Sequence, residues 1–130
     1  MLRVDLGHPA GDARGMSDAP ANNPVPTPAG WSAVDAYLAD TLVGHDDALE
    51  RAVADQNAAD MPAIEVAPLN GKLLKLLARA IGARRVLEVG TLGGYSTIWL
   101  ARAVGVGGQV VTIEAEPAHA EVAHASIDRA

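Results

Sequence analysis

From Trp31 onward the chain mixes short apolar runs with stretches whose apolar residues recur every three or four positions, and the two periods predict an ordered series of helices and strands. In "WSAVDAYLADTLVG", Val34, Leu38 and Leu42 form one stripe, Ser32 and Asp35 stand at capping-box spacing with Asp in place of the usual Glu, and Gly44 is a stop. "DDALERAVADQNAADM" predicts a second, more polar helix. After an extended link, "PAIEVAP", a third helix is predicted over residues 68–81. Leu69, Leu73, Leu76, Leu77 and Ala80 share one face of it, and Lys72, Lys75 and Arg79 another. Pro68 suits its first turn and Gly82 ends it. There follow a strand "RRVLEV", a glycine loop, a helix "YSTIWLARAVG", a strand "QVVTIE" and a last helix "PAHAEVAHASIDRA". Two continuous apolar strands separated by one helix predict a βαβ unit in an α/β fold: parallel strands, a right-handed crossover, and two sheet faces that both need cover. No internal repeat is present.

The arm before this pattern, residues 1–30, is rich in Pro, Gly, Asn and Asp ("SDAPANNPVPTPAG") and is expected to be disordered, because it has too little apolar side chain to offset ordering entropy. Met16 would serve as well as Met1 for a start. Residues 31–130 then form one domain or part of one. The net charge of −6 leaves no basic face for a phosphate backbone or an anionic membrane, so neither nucleic acid nor membrane is expected as a partner. With no Cys in 130 residues, disulfides, thiolate metal sites and a cysteine nucleophile are excluded. No apolar run has the length of a signal peptide or a membrane span, and the expected location is the cytoplasm.

Chemistry gathers in "VLEVGTLGGYS". In an open α/β sheet a ligand lies beyond the carboxyl ends of the strands, where Glu88, the glycine loop and Glu114 converge. A dinucleotide loop reads GxGxxG, whereas Gly90 is followed here by Thr91 and Leu92, and the bulk of Leu92 falls where pyrophosphate needs room. Glu88 at the strand end would repel phosphate and attract an ammonium or sulfonium group. Glu114 closes the second strand, where a carboxylate can take both hydroxyls of a ribose. Carboxylate, glycine turn and ribose acceptor together describe S-adenosylmethionine.

At these residues the chain resembles the class I S-adenosylmethionine-dependent O-methyltransferases of the catechol and caffeoyl-coenzyme A type. "VLEVGTLGGYSTIWLARA" is similar to their first motif and "VVTIEAEP" to their second, with good coverage over residues 60–130 and looser coverage over 31–60. The resemblance implies a Rossmann-like methyltransferase fold, of which this chain carries the N-terminal part, and an enzyme that methylates a small, phenolic hydroxyl. It also implies site roles: Glu88 for the methionine amino group, Gly90 against the cofactor, Ser96 for the methionine carboxylate at a helix N-terminus, Glu114 for the ribose, and the backbone of Val66 for the methionine end.

Simpler readings stand beside these. Glu88 can be a solvated strand-end charge, the glycines a tight turn and Ser96 a helix cap. Glu116 rivals Glu114. Tyr95 and Trp99 read as packing residues. His119 and His124, five apart, do not stack on one helix face and no carboxylate completes a site, so both read as surface residues, and His45 before "DD" reads as structural. In the family the metal-binding carboxylates, the base and much of the acceptor pocket follow the second motif. No catalytic residue and no ligand for a divalent metal is assigned in this chain. Only the first two strands of the larger sheet are encoded, and the expectation is a fragment inactive by itself. A subunit that pairs through its uncovered sheet edge, as an associating module or a homodimer, is the second reading. A nucleotide-dependent oxidoreductase half-domain is the third, opposed by Leu92 and Glu88.

Overall fold

A computed structural model describes residues 28–130, so all but the end of the arm expected to be disordered lies outside the described residues. The elements are α1 (Pro28–Leu38), α2 (Asp47–Ala58), α3 (Pro68–Ala80), β1 (Arg85–Val89), α4 (Tyr95–Val104), β2 (Gln109–Ile113) and α5 (Pro117–Asp128).

The first helix departs from the expected start. It begins at Pro28, which suits a first turn, so Ser32 lies inside the helix rather than at its cap, and no capping box with Asp35 opens it. A π-helical segment, Ala39–Val43, continues it to Gly44, whose N–H donates to Ala39 O at 3.1 Å. Thr41 shows one reason for the wider turn. Its Oγ1 donates to Tyr37 O at 2.7 Å, the carbonyl that an α-helix would give to the Thr41 N–H.

Asp46 caps α2 through Leu49 N at 3.2 Å, and its carboxylate also accepts from Arg102 on α4 at 2.6 and 3.3 Å. The Arg102 guanidinium is the main reason that Asp46 is held below the usual carboxylate range. One side chain therefore starts a helix and docks it.

α3 turns an unexpected side inward. Gly71 and Ala78 are buried against α4, while Leu73, Leu76 and Leu77 are exposed. Small residues decide this, because a glycine lets the Trp99 ring lie directly on the α3 backbone, and Lys75 completes the contact with Nζ 5.5 Å from the ring centroid.

β1 and β2 pair in parallel, Leu87 opposite Val111 and Val89 opposite Ile113. α4, the crossover between them, covers the sheet face that carries Glu88, and α5 packs on α2 and α4. The core is Leu49, Ala52, Tyr95, Ile98 and Trp99. Ile98 alone, at 2% exposure, contributes on the order of 1.5–3 kcal/mol. On the opposite sheet face Leu87, Val89, Val111 and Ile113 are bare among the described residues, so the expected cover exists on one side only. No helix among the described residues is long and apolar enough to cross a membrane.

Candidate functional site

The two parallel strands end side by side and deliver Glu88 and Glu114 to the same end of the sheet. Glu88 is buried to 9% exposure and is held by three hydroxyls: Ser96 Oγ at 2.6 Å, Thr97 Oγ1 at 2.5 Å and Thr112 Oγ1 at 2.7 Å. Thr112 also shares a 2.6 Å hydrogen bond with Thr91 of the loop. All three donors are neutral hydroxyls, which satisfy the buried carboxylate without placing a cation beside it.

Between the strands the loop takes a shape that only some residues tolerate. Gly90, at φ +90°, donates to Ile113 O at 2.8 Å, and a Cβ built there would meet nothing within 4 Å, so the loop backbone borders open space. Leu92 sits at φ +50°. Gly94 is the N-cap of α4 and offers no side chain to its first amides, which therefore stay available to a ligand.

Glu114 has the fullest set of partners. Oε2 accepts from Thr91 N at 3.0 Å and Leu92 N at 2.8 Å, and Oε1 accepts from Ala115 N at 2.9 Å and Glu116 N at 3.1 Å. The amides of Glu116 and Leu92, then those of Thr91 and Ala115, hold its pKa down at about 2. Its first role in the fold is to anchor the loop.

A pocket of about 510 Å³ opens at this point. Val66, Gly90, Ser96 and Glu114 line it, and Glu116 stands beside Glu114 in the same wall. Glu88 lies one hydrogen bond behind, through Ser96. The structure thus brings together four of the five residues singled out in the sequence and sets the fifth directly behind them.

Gln56, Glu65 and His119 are among the lining residues that the sequence did not assign to the site. Gln56 of α2 and Glu65 of the Pro62–Val66 link meet at the wall, and His119 of α5 reaches it too. The surface reading of His119 needs correction: its ring is mostly buried and Nδ1 lies 3.8 Å from Glu114 Oε1, because the first turn of α5 returns over the end of β2. His124 is exposed and pairs with Asp128. His45 is far from the pocket, between Glu50 at 2.5 Å and Asp47 at 2.7 Å, and the Glu50 hydrogen bond is the main cause of its raised pKa. Tyr95 and Trp99 belong to the core as expected, and burial pushes the Tyr95 hydroxyl up, which keeps it neutral. No group of His, Cys, Asp or Glu able to hold a metal ion occurs among the described residues.

A family model described as O-methyltransferase matches residues 40–130. A catechol O-methyltransferase of Mycobacterium tuberculosis is 60% identical over 97 residues, 75% of this chain and 44% of that protein. One from Niastella koreensis is 50% identical over 100 residues, 77% of this chain and 45% of that protein. Among solved structures, an O-methyltransferase from Bacillus cereus in complex with S-adenosylhomocysteine superposes with a TM-score of 0.74 at 52% identity, covering 76% of this chain and 45% of that one. The chain spans less than half the length of these relatives.

Proposed function

The chain belongs to the O-methyltransferase family, and on that premise we propose that its pocket binds S-adenosylmethionine for methyl transfer to a small phenolic hydroxyl. The observation that carries this reading is the charge layout of the site. Carboxylates stand at both strand ends, and the helix N-terminus between them is uncapped. A ligand with ammonium and sulfonium cations, one carboxylate and a ribose diol matches that layout, and a dinucleotide pyrophosphate does not. The volume, about 510 Å³, falls within the usual range of cofactor sites. When bound, the cofactor supplies an activated methyl group on sulfur.

The residues of this chain bind and orient. Glu88 stands behind Ser96 under the methionine end, the α4 amides receive the methionine carboxylate, and the backbone of Val66 borders it from the pocket wall. Glu114 is assigned to the ribose hydroxyls. Its Oε1, hydrogen-bonded to the two amides that follow it in the chain and facing His119 Nδ1 at 3.8 Å, is the oxygen able to exchange those amides for a ligand. The phenolic acceptor is supported by the names of the two catechol O-methyltransferase relatives. No group of this chain is assigned to proton removal, and the reading gives the chain the first part of a cofactor site.

Calorimetric titration tests this. S-adenosylhomocysteine is expected to bind and NAD to give no heat; NAD binding without a response to S-adenosylhomocysteine would return the site to the oxidoreductase reading.

A further inference from the structure

One wall of the pocket is the Pro62–Val66 link, which belongs to no helix or strand. Such a segment moves unless side chains hold it. The side chain in position to hold it is Gln56, on the last turns of α2 and 0% exposed. Its Nε2 donates to Pro62 O at 3.1 Å and to Glu65 Oε2 at 2.6 Å. Both partners are acceptors, so the amide has only one workable orientation; turned over, its carbonyl would face two oxygens.

That orientation leaves Oε1 buried with no hydrogen-bond partner. It points toward the glycine loop, where a Cβ added to Gly93 would lie 2.9 Å from Oε1 and 3.2 Å from the Gln56 Cβ. A buried acceptor without a partner is unfavourable, and a leucine would fill the same space without one. The amide earns its place only through its donor side.

We infer that Gln56 is a positioning residue of the cofactor site: it pins the Pro62–Val66 link while its own side chain rests on Gly93, and so sets the width of the pocket between the Val66 wall and the loop. This rests on reading the pocket as a cofactor site. It also assigns Glu65 a place as the anchored end of the latch, which keeps a carboxylate in the pocket wall.

The test pairs amide hydrogen exchange on the unliganded chain with calorimetric titration of S-adenosylhomocysteine. The Met61 amide donates to Gln56 O and the Ile64 amide to Pro62 O, so both report on the link. Gln56→Leu keeps the volume and removes both the donor and the orphaned acceptor. It is expected to speed exchange across 61–66 and to weaken binding by about tenfold while the melting temperature is unchanged or higher. Glu65→Ala breaks the same latch from its more exposed end and is expected to reproduce the local exchange, which covers a Gln56→Leu protein that fails to fold. Glu65→Gln keeps a carbonyl acceptor for Nε2 and should restore most of the protection. Unchanged exchange at 61–66 in both latch-breaking variants would overturn the proposal, as would loss of affinity that merely follows a fall in melting temperature. If the unsubstituted chain binds no S-adenosylhomocysteine, the cofactor reading fails, and the exchange data still decide whether Gln56 holds the link.

Discussion

Leu92 and Glu114 fix each other: the leucine, at φ +50°, donates its N–H to Glu114 Oε2 at 2.8 Å, and the same oxygen takes Thr91 N at 3.0 Å. A left-handed leucine costs on the order of 1–2 kcal/mol relative to ordinary backbone, so the loop keeps this shape because the carboxylate rewards two adjacent N–H groups that point the same way. In return those amides hold Glu114 at the pocket. Loop shape and ligand contact are therefore two consequences of one hydrogen-bonded pair.

Replacing that carboxylate should separate the two roles poorly, which is itself a usable result. Glu114→Gln leaves one carbonyl for four amides and turns an NH₂ group toward donors. S-adenosylhomocysteine affinity is expected to fall by about tenfold or more, together with faster hydrogen exchange at Thr91 and Leu92. Glu116→Gln, which breaks none of these bonds, should leave exchange in the loop as it was. If calorimetry shows Glu116→Gln to be the damaging change instead, the ribose assignment belongs to the neighbour.

The same group sets an acid limit on stability. Its pKa is depressed to about 2 from an ordinary 4.5, so the anchor contributes fully above about pH 4.5 and is lost as the pH falls from there toward 2. Stability against urea should show no slope from Glu114 between pH 5 and 8 and a decline below 4.5. In Glu114→Gln that part of the decline should flatten. An identical acid profile in the two proteins would show that the amide bonds are not made in solution.

The β1, loop, α4 and β2 succession was legible in the sequence because its signals are local: apolar runs of strand length, glycines between them, and a helix whose bounds match within a residue. Gly90, Ser96 and Glu114 reached the pocket for the same reason, since their positions follow from a strand end, a helix start and a second strand end, whereas Val66, in the irregular link, was reached only through the family resemblance. What failed was anything decided by distant partners. The leucine stripe of α3 marked a helix correctly, yet a single glycine facing Trp99 chose which side went inward. Gln56 in "ADQNAAD" is indistinguishable from Asn57 until the link folds back over it, and His119 gained its carboxylate only once α5 returned to the end of β2.

Asp46 offers a graded test of docking. Asp46→Asn keeps a capping oxygen for Leu49 N and loses the charge that faces Arg102, whereas Asp46→Ala loses both. The cap is worth roughly 1 kcal/mol and a partly exposed pair of this kind somewhat under 1 kcal/mol. Alanine should therefore destabilise by about 1–2 kcal/mol and asparagine by less than half of that. Equal losses in denaturant melts would mean that the ion pair carries the whole effect and the cap none.

Gly71→Ala sets two known effects against each other. Alanine in a helix interior gains about 1 kcal/mol over glycine. At this position, however, the new Cβ would collide with Cδ1 and Nε1 of Trp99, closer than real Cβ atoms approach, and would crowd Cε2 at 3.1 Å. The ring cannot swing aside cheaply, because it is 5% exposed, packed in the core with Tyr95 and Ile98, and covered by Lys75. Overpacking of this kind costs roughly 1–3 kcal/mol, and here it also forces apart α3 and α4, the helices that lead into the site from its two walls. The clash should win, with a net loss of about 1–2 kcal/mol and a red shift of Trp99 emission, read in a Trp31→Phe background because Trp31 is exposed and would mask it. A Gly71→Ala protein with unchanged emission and an equal or higher melting temperature would show that α3 does not rest on the Trp99 ring.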